Sequence, residues 1–251
     1  RFWLSVAPRP GDTVSCTQAD ALIRAAEAKT GLRPWRRTDL LRERIRAREA
    51  EAQTCQAKAQ LSQAALERAQ ARLAETRQQC DEQRARVLQL ETHYQERQRP
   101  ERPYSALTKA RQRWTMLERR RKRLEKQLPV LEKQLHRRQQ RWHSHQTAVR
   151  SLQQRLEQFE QENRTNPCPI QADFRLDAGF GTRDNVALTI EMGYQLYTKP
   201  YSDWLTPRLK KRVHPQTRWT RVGGNAEMVA WKAERFVDFP YPLDVGLERF
   251  Q

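Results

Sequence analysis

Apolar residues recur at every seventh position over two long stretches of this chain, and nothing else in it constrains folding as strongly. From Ile45, steps of seven land on Ala52, Ala59, Leu66, Leu73, Cys80, Val87 and Tyr94. A companion row, Leu41, Arg48, Cys55, Ser62, Ala69, Thr76, Gln83 and Leu90, is more polar. The second stretch carries Leu107, Trp114, Arg121, Leu128, Leu135, Trp142, Val149 and Leu156. Interleaved with it are Ala110, Leu117, Leu124, Leu131, Arg138, His145, Leu152 and Phe159. A seam of this period, sustained over so many heptads, predicts a coiled coil, because a slightly underwound helix keeps one stripe facing its partner.

Punctuation between the two stretches sets their topology. RQRPERPYS places Pro100 and Pro103 where a helix cannot continue, and Ser105 where the next helix needs a cap. The expected helices run from Asp39 to about Arg97 and from Ser105 to about Asn163, each about 59 residues or roughly 88 Å long. Two equal helices with a short joint fold back on each other, with the tip near residues 98–104. Pro129 is expected to kink the second helix near Gln127. All eight glycines lie at or before Gly31 or at or after Gly179, and 15 of the 20 aromatics lie outside Arg36–Arg164. Turns and core-filling rings therefore belong to the ends of the chain. Residues 36–164 are expected to be an antiparallel α-helical coiled-coil hairpin inserted into one body, of which 1–35 and 165–251 are the two parts.

The charge is concentrated in the same place. The chain has 48 Lys and Arg against 30 Asp and Glu, a net charge of +18. Between Arg36 and Arg164 there are 31 basic and 17 acidic residues, so this stretch holds +14 of that total. Such a surplus points to a polyanionic partner, foremost nucleic acid. No apolar run approaches the roughly 20 residues of a membrane span, so no membrane role is expected. No charged segment followed by an apolar stretch opens the chain, so no secretion signal is expected either. Cys16, Cys55, Cys80 and Cys168 are 39, 25 and 88 residues apart, a spacing that suggests neither zinc nor a disulfide framework. A reducing, cytoplasmic setting fits. The chain opens on Arg1 and stops within an expected strand, PLDVGLERFQ, so it reads as a segment of something longer.

The body reads as α/β. Phe2–Val6 is an expected strand, PRPGD a turn, and Thr17–Lys29 an amphipathic helix with Leu22, Ile23 and Ala26 on one side. After the hairpin come a strand in ADFRLD, a tight loop GFGT, a helix over Arg183–Met192 and a strand in YQLYTK. Tyr201–Lys211 is expected to be helical, and TRWTRV, AEMVAW and PLDVGLERF to be short strands. A strand, helix and strand in this order predict a parallel pair with a crossover helix. Asp177 then stands at the carboxyl end of the first of these strands, where open α/β sheets bind ligands. Its carboxylate suits a hard divalent cation, although Asp is also a good turn former.

The run FRLDAGFGTRDNVALTIEMGYQLYTKP resembles the second catalytic block of DDE transposases from bacterial insertion sequences. In that family a strand ends in Asp, a small residue and an aromatic follow, and a helix and a second strand come next. LSVAPRPGDTVS is similar to the strand and "RPGNT" turn that precede the block, and AEMVAW and FPYPLDVGLERF to later strands. The resemblance covers about 120 residues, all outside the hairpin. It implies an RNase H-like fold, here a partial core interrupted by the coiled coil, in which two Asp and one Glu hold two Mg²⁺ (or Mn²⁺) ions for phosphodiester cleavage and strand transfer. Only Asp177 carries over, as catalytic residue and metal ligand. The family's first Asp lies on a strand before this chain opens, and its Glu on a helix after it ends. Glu227, Asp244 and Glu248 fall in or beside expected strands and are not assigned. The partners implied are transposon-end and target DNA, with self-association as a further expectation, in the bacterial cytoplasm at the nucleoid.

Other residues offer DNA contacts. Lys199, flanked by Tyr197 and Tyr201, stands where it could meet phosphate or simply end a solvated strand. Lys210, Lys211 and Arg212, with Trp204 and Trp219 nearby, combine cations and aromatics as DNA-binding surfaces do. In ERRRKRLEK, Arg119, Arg120, Lys122 and Arg123 are candidate phosphate contacts, and Arg121 falls on the apolar seam. His136, His143 and His145 cluster on the hairpin, but positions two apart do not share a helix face. The competing reading is a non-enzymatic basic coiled coil that binds nucleic acid or a protein. The LDAGFG block separates the two, since a purely structural coiled coil has no use for it.

Overall fold

The fold was analysed in a computed structural model, which describes residues 19–98, 100–176, 180–199, 205–237 and 239–250. The strand expected at Phe2–Val6 and the PRPGD turn lie outside them. The described chain is mixed α/β and dominated by helices, with elements in the order α1 (Ala19–Thr30), α2 (Thr38–Glu96), α3 (Ala106–Arg164), β1 (Asp173–Leu176), α4 (Arg183–Glu191), β2 (Gln195–Thr198), α5 (Thr206–Lys210), β3 (Thr220–Arg221), β4 (Ala226–Glu234) and β5 (Leu243–Phe250). Contacts divide it into two compact units, Ala47–Val149 and the described residues on either side of that stretch.

Within Ala47–Val149, α2 and α3 pack antiparallel. Arg77 pairs with Glu125 at 3.0 Å and Glu91 with Arg111 at 2.7 Å, so partners on α3 rise in number as those on α2 fall. Ala52, Ala59, Leu66, Leu73, Cys80 and Val87 are all buried, as their seven-residue spacing requires. The polar companion row is buried too, at Ser62, Thr76 and Gln83. Its polar atoms find partners on backbone or across the seam: Thr76 Oγ1 donates to the Arg72 carbonyl, Gln83 Nε2 to the Ala110 carbonyl, and Arg138 Nη1 to Ser62 Oγ. Ser105 caps α3, its Oγ accepting the Thr108 N–H at 3.2 Å. Pro129 sits inside α3, which runs through it as one element.

The other unit has its core around α4. Leu188 and Met192 pack with Ile23, Leu41, Ile45, Leu152, Phe159 and Tyr194. Val186 and Ala187, on the other side, pack with Leu205, Leu209, Phe236, Phe239, Tyr241 and Val245. A helix apolar on two sides needs cover on both, which is why one nine-residue helix buries six of its residues. Each large apolar side chain so buried contributes roughly 1.5–3 kcal/mol. β1 and β2 run parallel, with Asp173 opposite Gln195 and Leu176 opposite Thr198, and α4 is the crossover between them. β3, β4 and β5 form a separate antiparallel sheet. TRWTRV contributes only Thr220–Arg221 to it, because Thr217 closes a turn: its N–H donates to the His214 carbonyl and its Oγ1 accepts the His214 N–H.

The chain enters α2 and leaves α3 at neighbouring points. Gly31, at φ 67°, ends α1 by donating its N–H to the Glu27 carbonyl at 2.8 Å. The following segment is strapped to the end of α3. Asn163 Oδ1 accepts the Arg36 N–H at 2.8 Å, its Nδ2 donates to the Arg36 carbonyl at 3.0 Å, and Asn166 Nδ2 donates to the Arg33 carbonyl. Gly193, at φ 89°, passes this strap so closely that a Cβ would stand 2.1 Å from the Trp35 carbonyl oxygen. No side chain fits there.

Candidate functional site

The parallel pair defines the edge at which ligand-binding groups are sought. β1 and β2 end together, at Leu176 opposite Thr198, and Asp177 follows β1 directly in sequence. Asp177 itself, with Ala178 and Gly179, lies outside the described residues. At the start of the crossover helix, Thr182 accepts the Asn185 N–H through its hydroxyl, and Asp184 is exposed in the first turn. Lys199 follows β2 and is exposed. Tyr197, two residues before it, is 57% exposed with the Arg175 guanidinium 6.0 Å from its ring centroid, and Tyr201 lies outside the described residues.

A metal fits this edge only in part. A two-metal site needs several carboxylates, and in the sequence Asp177 directly follows β1. Among the described residues no group of three or more His, Cys, Asp and Glu side chains is placed to hold a metal ion. The hairpin histidines have other neighbours: His143 stacks on Trp142, His136 bonds Gln140, and His145 lies 3.6 Å from Glu51.

The second basic group is divided by the fold. Lys210 ends α5 and, with Lys211, is exposed. Arg212 forms an ion pair with Glu234 of β4. Trp219 is covered by the Arg249 guanidinium at 4.2 Å, and Arg249 also pairs with Glu227 at 2.6 Å. Trp219 and Arg212 thus serve the antiparallel sheet, Trp204 lies outside the described residues, and Lys210 and Lys211 keep exposed charges.

Two buried ionic clusters have no signal in the sequence. Arg36, 1% exposed, bonds both carboxylate oxygens of Glu27, at 2.8 and 2.6 Å, one oxygen of Glu162 at 2.5 Å, and the Met192 carbonyl at 3.0 Å. Arg24 holds the other Glu162 oxygen at 2.7 Å, and the Tyr194 hydroxyl donates to Glu27 at 2.7 Å. Burial alone would raise the Glu162 carboxyl, but the bonds from Arg24 and Arg36 outweigh it and hold it below its ordinary range. Glu191, fully buried at the end of α4, takes Arg44 on one oxygen and Arg155 on the other at 3.0 Å, with the Tyr241 hydroxyl donating at 2.7 Å. Burial, then the neighbouring Glu191 charge, pushes the Tyr241 hydroxyl up. Several of these pairs join residues more than a hundred positions apart, among them Arg36 with Glu162 and Arg44 with Glu191, so no local pattern marks them. Within each cluster the side chains bind one another.

With the helix bounds known, the charge of the hairpin divides unevenly. α2 has ten basic and ten acidic residues and is neutral. α3 has sixteen basic and six acidic residues, +10. Arg119, Arg120, Lys122 and Arg123 are all exposed on α3, and none has an ion pair among the described residues. Arg121 is half-buried on the seam and pairs with Glu118 at 2.9 Å.

No family model, curated protein or solved structure matches this chain. Among the described residues no helix is long and apolar enough to cross a membrane.

Proposed function

We propose that this chain is a segment of a DDE-type transposase, a metal-dependent enzyme of DNA strand cleavage and transfer, with an RNase H-like core and a basic coiled coil for DNA or subunit contacts. The observation that carries the reading is the β1–α4–β2 unit: a parallel pair with a crossover helix, in which the strand preceding Asp177 ends level with the strand preceding Lys199. The LDAGFG block that resembles the family's second catalytic motif spans the end of that first strand and the approach to the helix. In this reading Asp177 supplies one carboxylate of a Mg²⁺ or Mn²⁺ site whose other ligands come from elsewhere in the complete protein. Such a site would supply Lewis-acid chemistry for phosphodiester cleavage. Lys199, at the same edge, would hold a backbone phosphate.

The test is DNA cleavage by the full-length polypeptide that carries this chain. Asp177→Asn keeps size and hydrogen bonding but removes the charge a divalent ion needs, so cleavage and strand transfer should collapse while folding persists. Asp184→Asn is the control. Asp184 is exposed in the first turn of α4, where a carboxylate only favours the helix dipole, and its loss should cost little activity. Near-normal cleavage by Asp177→Asn overturns the proposal.

A further inference from the structure

We infer that the outward face of α3 is a binding surface for the phosphate backbone of duplex DNA, and that α2 takes no part in it; this rests on the DNA-processing role proposed above. The face is defined by the seam. With Leu107, Trp114, Leu128, Leu135 and Val149 turned toward α2, the rows opposite them carry Arg119, Lys126 and Lys133 at seven-residue steps, and beside these Arg113, Arg120 and Arg141. All six are exposed and none has an ion pair among the described residues. The three acids of α3 within Ala47–Val149 are Glu118, Glu125 and Glu132, which share a single row flanking the seam. Glu125 reaches across to Arg77, and Glu118 pairs with the seam residue Arg121. Acids are thus drawn to the edge beside α2, and the outward rows from Lys109 to Arg141 are basic with no acid at all. That stretch of helix is about 48 Å long, the length of about 14 base pairs.

Three features select duplex DNA. Lys and Arg presented in successive rows along one helix match the regularly spaced phosphates of a backbone, which carry no sequence information. Single strands are held by stacking on aromatic rings, yet the two tryptophans of α3, Trp114 and Trp142, lie on the seam row and are half-buried. An anionic membrane would require an apolar face free to insert, and the apolar face of α3 is packed against α2. The balanced charge of α2 gives that helix no comparable field.

The test is equilibrium binding of the full chain to a 20-bp duplex of arbitrary sequence, in EDTA, so that binding is read without cleavage and independently of Asp177. Arg119, Arg120, Lys122 and Arg123 are replaced together by Gln. A matched variant replaces Arg68, Arg72, Arg84 and Arg86, which are exposed on α2. The α3 variant should bind at least about tenfold more weakly at low salt, and its slope of log affinity against log salt should fall by about 3 to 4. The α2 variant should stay within about threefold of the parent, and both should retain the parent's helical circular dichroism. The duplex should also bind more tightly than either of its single strands. Equal losses in the two variants would reduce the effect to bulk charge and overturn the inference, as would an unchanged α3 variant or preferred binding of single strands. Displacement of the duplex by polyglutamate of equal charge would overturn it in favour of an acidic protein partner. A cleavage defect in Asp177→Asn has no bearing on any of these outcomes, so the two proposals fail separately.

Discussion

Glu162 shows how a single side chain ties distant segments together. Its two oxygens take Arg24 from α1 and Arg36 from the strap, and its own backbone carbonyl takes Arg33 at 2.7 Å. Against burial, which raises it, those bonds hold its carboxyl below the ordinary 4.5. An acid whose folded value is lowered adds stability above its unfolded value, and that stability is lost as pH falls through the folded one. The urea midpoint of the chain should therefore drop as pH is lowered below about 4.5, and Glu162→Gln should flatten this acid limb while lowering the midpoint at neutral pH. A limb of the same depth in the variant would show that other carboxylates carry it. Nothing in QENRTNP or RPWRRTD announces this pairing. Arg36 reads as one more cation in a basic chain, and only its 1% exposure reveals a structural charge.

The long helices were the most legible elements. Expected at Asp39 to about Arg97 and Ser105 to about Asn163, they lie at Thr38–Glu96 and Ala106–Arg164, because heptad spacing, two prolines and a serine cap are local signals. The polar companion row is the informative part. Ser62, Thr76 and Gln83 are buried although polar, since side chains whose polar atoms are hydrogen-bonded cost little to cover. The two rows should respond differently to substitution. Leu73→Asp places a charge at a position 5% exposed and should cost about 3–5 kcal/mol in thermal or urea unfolding. Gln83→Leu removes one cross-helix bond but adds apolar cover, so its midpoint should equal or exceed the parent's. A large loss in Gln83→Leu would mean that the polar row is essential to the pairing.

At the scale of the whole molecule, the independence of the two units can be tested by removing Ala47–Val149. The described residues of 1–46 and 150–250 have two cores of their own and the Arg36 and Glu191 clusters, all made without any residue of Ala47–Val149. Replacing Ala47–Val149 by a four-residue Gly-rich turn should leave a chain that still unfolds in one cooperative transition, read by tryptophan fluorescence. Loss of that cooperative fluorescence transition in the variant would show that the hairpin is part of the folding unit.

Sequence alone determined whatever rests on near neighbours or on period: the two helices and their turn, the basic character of the hairpin, the β1–α4–β2 order and the placing of Asp177 after β1. Tertiary structure decided the rest. Among the described residues the expected body strands became two small sheets, Arg212 and Trp219 turned to partners in the antiparallel sheet, and Arg36 and Glu191 became buried centres of charge. It also set α3 apart from α2, because only the pairing of the helices defines which rows face outward and which acids are drawn to the edge of the seam. Period and composition are properties of a segment. Burial and charge pairing are properties of contacts between segments far apart in the chain, and these exist only once the chain has folded.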